Sequence, residues 1–257
     1  MARAFSGTEY LQYDASVVSS YPCTMAAWGK TSSDTNTQTL IQLADKDVAD
    51  QYFAIISDMQ NNDKARLLQF STSLYDEYST ATIATNTWHH VCGTISGTTG
   101  VIYLNGAGDS RNGMQAFGPF DRTTIGRTGD STPGAYYIGS IAEVAIWDVA
   151  LGGAEVATLA AGYSPLFVRP QSLVAYWPLG GPLCANDADV DVVGGYHMTA
   201  YNTPTTADHP PGLIYPSYAM HGFSHSAAAI RRYLGPNFVR QPFSTDSLTR
   251  PTLIGAV

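Results

Sequence analysis

Apolar and polar residues alternate in short runs along most of the chain, and turn residues interrupt the runs roughly every 8 to 12 positions. Thr24-Met25-Ala26-Ala27-Trp28 is the first clear run. Further strands are predicted at Thr39 to Leu43, Tyr52 to Ser57, Leu67 to Ser71, Trp88 to Ser96, Val101 to Asn105, Thr123 to Gly126, Gly139 to Asp148 and Ser172 to Pro178. Between them lie turn signals such as Asn61-Asn62-Asp63-Lys64, Ser96-Gly97-Thr98-Thr99-Gly100 and Asn105-Gly106, the last two bracketing a hairpin strand. One segment has helical spacing: Leu151, Val156, Leu159 and Ala160 form an apolar stripe over Leu151 to Ala161, and Gly162 supplies the stop. Short strands with this turn spacing imply an all-β sandwich of the jelly-roll type.

From about Tyr215 the pattern changes. Alternation fades, Pro216, Pro236, Pro242 and Pro251 recur, and the helical hint that remains is Ser226 to Leu234. Residues 1–214 carry 9 Lys+Arg against 20 Asp+Glu, whereas residues 215–257 carry Arg231, Arg232, Arg240 and Arg250 against Asp246. The division is therefore an acidic body at 1–214 and a basic, proline-punctuated arm at 215–257.

Composition narrows the function classes. Among 257 residues only 13% are charged, while 16 Tyr, 24 Gly and 14 Pro accompany abundant Ser and Thr, as in strands joined by tight turns. A net charge of −8 argues against a nucleic-acid partner, because the body cannot neutralise phosphates. No apolar stretch reaches the ~18 residues of a membrane span, and Met1 to Gly7 lacks the apolar core of a signal peptide, so synthesis in a cytoplasm is expected. Cys23, Cys92 and Cys184 are an odd, widely spaced set with no zinc spacing.

Several runs together resemble the laminin-G-like, concanavalin-A-like jelly roll. Phe5-Ser6-Gly7-Thr8-Glu9-Tyr10-Leu11 is similar to that family's F-x-G strand, and Thr24 to Lys30 to its T-h-x-x-W-h-K strand. Trp88-His89-His90-Val91, followed by Tyr103-Leu104-Asn105-Gly106, resembles its W-H-H-V strand and Y-h-N-G hairpin. Tyr137 to Asp148 and Ala150 to Val156 resemble the last core strand and single helix. Ser172 to Leu179 and Asp191 to Thr199 resemble segments that normally come first in the family; here they come last, as in a circular permutation. The resemblance implies that residues 172–200 fill the slots of the family's opening strands, and that Leu173, Ala175 and Trp177 share one core face.

Glucanases of this superfamily carry alternating carboxylates on one strand; that pattern is missing, and strand parity sends the nearest candidates, Glu143 and Asp148, to opposite faces. No catalytic centre is expected. Tyr75, Tyr78, Tyr136 and Tyr137 are candidate exposed aromatics for stacking on sugar rings. Asp187, Asp189 and Asp191 are read as a solvated acidic loop, with a rim-loop calcium site as the alternative. His89 and His90 are read as structural. In the arm, Phe223, Arg231, Arg232, Tyr233, Phe238, Arg240, Phe243 and Arg250 are the types that dominate protein interfaces, and are assigned to partner binding.

Combined, these features favour a non-enzymatic bacteriophage virion protein, a capsid decoration or a tail or fibre component. Its expected partners are its own subunits and other virion proteins. The alternatives are a free carbohydrate-binding module, with host surface glycans as its ligand, and a glycosidase.

Overall fold

The computed structural model describes residues 2–60, 62–71, 73–180, 183 and 189–216, and its strands form two antiparallel sheets packed face to face. Residues 2–216 contain β1 (Ala2–Ser6), β2 (Tyr10–Tyr13), β3 (Cys23–Thr31), β4 (Thr37–Ala44), β5 (Tyr52–Asp58), β6 (Lys64–Phe70), β7 (Leu74–Thr82), β8 (His89–Ser96), β9 (Thr99–Leu104) and β10 (Ala107–Asn112). They continue with β11 (Arg122–Ile125), β12 (Ile138–Trp147), helix α1 (Gly153–Ala160), β13 (Leu173–Trp177), β14 (Thr199–Tyr201) and β15 (Thr205–Ala207). One sheet runs β10-β9-β8-β3-β12-β1-β15, with β13 also on β12, and the other runs β14-β2-β11-β4-β5-β6-β7. Residues 217–257 of the arm, with all eight residues assigned to partner binding, lie outside the described residues, as do Cys184 and Asp187.

The core between the sheets follows the period of two. Leu11, Leu43, Phe53, Ile55 and Leu67 from one sheet meet Met25, Ala27, Val91, Ile102 and Ile146 from the other. A second apolar layer, with Trp147, Val156, Leu159, Leu166 and Tyr176, covers the outer face of the eight-stranded sheet beneath α1. The helix ends at Gly162, whose φ of +93° suits a residue without a Cβ. In the W-H-H-V and Y-h-N-G segments, the Asn105 side-chain oxygen accepts from the His90 amide at 3.0 Å, and the Asn105 amide donates to the His90 carbonyl at 2.8 Å. His89 Nε2 accepts from the Ala84 amide at 3.0 Å, so the histidine pair fastens the turns around β8.

Two sequence expectations change. Phe5 to Leu11 is not one strand: the chain turns at Gly7, φ +102°, where Glu9 accepts from the Ser6 amide at 2.6 Å and hydroxyl at 2.8 Å. β1 and β2 therefore join different sheets. Ala175 and Trp177 do reach the inter-sheet core, but Leu173 packs in the outer layer, because a register shift opposite Ile146 and Trp147 reverses its face.

The late segment is built into the sandwich. β1 pairs with residues 138–141 of β12 and β13 with residues 144–147, so the two lie end to end along one edge of the same strand. Asp191 ties the following loop to β13. Its buried carboxylate accepts from the amides of Tyr176, Val193, Gly194 and Tyr196, each at 2.9 Å. Asp189 instead pairs with Arg3 at 2.7 Å, so neither aspartate belongs to a solvated acidic loop.

Glu143 sits at the bulge of β12, with φ +54°, and is buried against the outer layer. Its carboxylate accepts from the Tyr176 hydroxyl at 2.5 Å and the Tyr215 hydroxyl at 2.9 Å, and His209 Nε2 lies 3.3 Å away. Because Nε2 also faces the Pro178 carbonyl at 3.4 Å, it carries the ring hydrogen. Burial pushes the Glu143 carboxyl up to about 7 and the His209 imidazole down to about 4.

Two outcomes follow for stability. Asp191→Ala should cost about 3 kcal/mol, since it strands four amides, two of them buried, while Asp189→Ala costs about 1 kcal/mol or less; urea denaturation of both variants decides this. Glu143 holds its proton more tightly folded than unfolded, so its contribution is full below about pH 4.5 and is lost as pH rises through 7. His209 acts oppositely: its contribution is present above pH 6.5 and is lost as pH falls through 4. Melting temperatures should therefore rise from pH 6.5 to 4.5 in His209→Gln relative to the wild type; superimposable profiles would refute the linkage.

Candidate functional site

Antiparallel pairing places opposed residues on the same face, so the register of the seven-stranded sheet spells out its outer surface. Thr39, Ile56, Arg66 and Tyr78 face one another in turn across β4, β5, β6 and β7. The adjacent row is Gln12, Thr124, Gln42, Ala54, Leu68 and Asp76, running from β2 to β7. Ala54, Ile56 and Leu68 form a small apolar floor, with Tyr52 packed against it. The β11–β12 loop joins this face, since the Gln42 side-chain oxygen accepts from the Gly129 amide and the Thr39 amide donates to the Ala135 carbonyl at 2.9 Å.

Five buried polar atoms on this one face have no partner among the described residues: Thr39 Oγ1, Gln42 Nε2, Arg66 Nε, Arg127 Nε and Asp130 Oδ1. Buried polar groups are ordinarily satisfied, and these five on one face stand beside three elsewhere among the described residues, Tyr21 Oη, His90 Nδ1 and Tyr137 Oη. At one end a cleft of about 370 Å³ is lined by Asn36, Thr37, Gln60 and Tyr136, with Gly7, Ala135 and Ile138. Thr37 donates to Asp58 at 3.0 Å, and Asp58 and Asp76 clamp Arg66 at 3.5 and 3.0 Å. The Arg66 guanidinium stands 5.0 Å over the Tyr78 ring.

Of the four tyrosines expected to be exposed, the structure places one on the cleft and a second on the same sheet face. Tyr136 is half-buried on the cleft wall, and Tyr78 lies on the same sheet face at the β7 edge. Tyr75 is 3% exposed, its hydroxyl donating to the Arg111 carbonyl at 2.7 Å, and burial pushes that hydroxyl up to about 12. Tyr137 is fully buried in the inter-sheet core. Neither can stack on a sugar. Tyr10, Arg127, Gln42 and Gln60 were not singled out from sequence; Tyr10 shares the outer parity of β2, the one signal that pointed to it. Glu143 is enclosed on the other sheet, and Asp148 is exposed at the end of β12.

Residues 5–157 match the family model described as the concanavalin A-like lectin/glucanases superfamily. No curated protein matches. Among solved structures, a putative carbohydrate-binding protein from Bacteroides ovatus is 19% identical with a TM-score of 0.61, covering 79% of this chain and 58% of its own length. Domain 4 of an extracellular arabinanase from Geobacillus stearothermophilus, in complex with arabinotriose, is 21% identical with a TM-score of 0.55, covering 62% of this chain and 76% of that one. The CBM40 module of the Ruminococcus gnavus IT-sialidase, bound to α2,3-sialyllactose, is 15% identical with a TM-score of 0.53, covering 62% and 94%. At these identities the likeness is one of fold. With more than half its length matched by the family model, the chain belongs to the concanavalin A-like lectin/glucanase superfamily.

Proposed function

We propose that the protein is a non-enzymatic carbohydrate-binding jelly roll whose ligand lies in the cleft at Tyr136 and on the adjoining outer face of the seven-stranded sheet. The observation that carries this reading is the gathering of unpartnered polar atoms on that face beside an aromatic wall. Sugars present hydroxyls in and around the ring plane and an apolar face to either side. Amides, hydroxyls and a tyrosine ring meet both requirements. The carbohydrate-binding names of the neighbours support the same reading. Hydrolysis is disfavoured because Asp58 and Asp76 both hold Arg66, so neither carboxylate is poised for acid or nucleophile work.

The bacteriophage virion setting expected from sequence rests on the low charge, the expected cytoplasmic synthesis and the lectin-like fold combined with the basic arm and its aromatic and arginine anchors. In that setting the arm joins the jelly roll to its own subunits and other virion proteins, and the sheet face is left for host glycans.

A glycan array followed by titration calorimetry tests the site. At least one oligosaccharide class should bind, and Tyr136→Ala should weaken it about tenfold with the melting temperature nearly unchanged, since the ring is half-exposed. Binding that is indifferent to Tyr136→Ala and Gln60→Ala would place the ligand elsewhere. For the arm, removal of residues 217–257 should leave a folded jelly roll that no longer self-associates in light scattering; unchanged association would remove the assembly role.

A further inference from the structure

Arg127 differs from every other arginine among residues 1–214. Arg3 pairs with Asp189, Arg66 with Asp58 and Asp76, Arg111 with Asp76, Arg122 with Asp14, and Arg169 with Glu155. Arg127 forms no ion pair with any described residue, yet it is only 7% exposed. Its guanidinium lies 3.5 Å over the Tyr10 ring, and Tyr10 in turn stacks on Tyr201 with centroids 4.6 Å apart. Nη2 donates to the Gln12 side-chain oxygen at 2.9 Å. Nη1 reaches the Tyr136 hydroxyl at 3.5 Å, the limit of a hydrogen bond, and Nε has no partner among the described residues.

A guanidinium removed from water without an anion is costly, and one amide oxygen and a ring face offset only part of that cost. Arginine's fork is matched to carboxylates, sulfates and phosphates, which accept two parallel N–H bonds. Tyr136, whose hydroxyl Nη1 approaches, lines the cleft and so brings this unspent fork to its edge. We infer that the ligand is an acidic sugar, one carrying a carboxylate, sulfate or phosphate, and that Arg127 supplies its counter-charge. This inference rests on the sugar-binding reading above and specifies the substrate class of the same site. The body's net negative charge repels such a ligand at long range, so recognition depends on the short-range, desolvated contact at Arg127 rather than on steering.

The full-length protein is to be probed on an array holding sialylated, uronic-acid and sulfated glycans beside neutral counterparts, and then titrated with matched pairs. Suitable pairs are 3′-sialyllactose with lactose, and 6-sulfated N-acetyllactosamine with its unsulfated form. The acidic member of at least one pair should bind about tenfold or more tightly, and which pair responds separates carboxylate from sulfate. The gap should narrow in high salt, close in Arg127→Gln and persist in part in Arg127→Lys, with melting curves confirming that the variants fold. If neutral glycans bind as well as acidic ones, or Arg127→Gln keeps the preference, the acidic-sugar inference is wrong while sugar binding stands. If no glycan of either kind binds, both readings fall.

Discussion

The architecture depends on the pairing of β12, whose backbone is hydrogen-bonded along both edges. β3 runs along one edge, while β1 and β13 share the other, meeting it at residues 138–141 and 144–147. Two strands placed end to end leave a gap between them, and a buried backbone amide in a gap needs an acceptor. Glu143 stands in that gap. The bulge turns its amide to the Pro178 carbonyl, 3.2 Å away and just past the end of β13, so the junction is closed by backbone rather than by water. The same turn aims the Glu143 carboxylate at Tyr176, Tyr215 and His209, which ties the chain's late segment onto the sheet. The late segment is held in the sandwich for this reason: β13 needs the edge of β12, wherever in the chain it comes.

What could be read in advance follows the same physics. The strands rich in apolar residues, such as β3, β5 and β8, were legible because one face of each is committed to the core. Edge strands were not: β7, Leu74–Thr82, mixes Tyr, Asp, Glu, Ser and Thr, and β10, Ala107–Asn112, is almost wholly exposed. Neither buries enough to impose a period. Bulges hid the rest, because one extra residue reverses parity beyond it. In β4 the irregularity between Thr39 and Ile41 lets Thr39 and Gln42, three apart, share the outer face while Leu40 and Ile41 enter the core. Reading β4 by twos assigns Thr39 to the wrong side.

The candidate site was half legible for a related reason. Tyrosines stood out as a residue type, yet type does not determine depth, and the adjacent pair Tyr136 and Tyr137 separates completely, one onto the cleft wall and one into the core. Arg127 gave no signal at all. Its role comes from the β11–β12 loop, which returns over the sheet and brings residues 127 to 136 against Gln12, Tyr10 and Gln42. Such a juxtaposition joins positions 87 to 117 residues apart, which no local pattern records.

The two sheets thus divide the polar burden of the molecule. On the eight-stranded sheet the buried charges are consumed internally: Asp191 by four amides, and Glu143 by two phenols and an imidazole. Satisfied in this way, they stiffen the fold and leave nothing for a ligand. On the seven-stranded sheet Thr39, Gln42, Arg66, Arg127 and Asp130 each hold back one polar atom. A fold under selection for stability alone has no reason to concentrate unmet polar atoms on a single face, since each costs free energy that a small change of side chain would recover. The sheet that carries this cost is the one beside the cleft, which is why the proposed ligand is placed there.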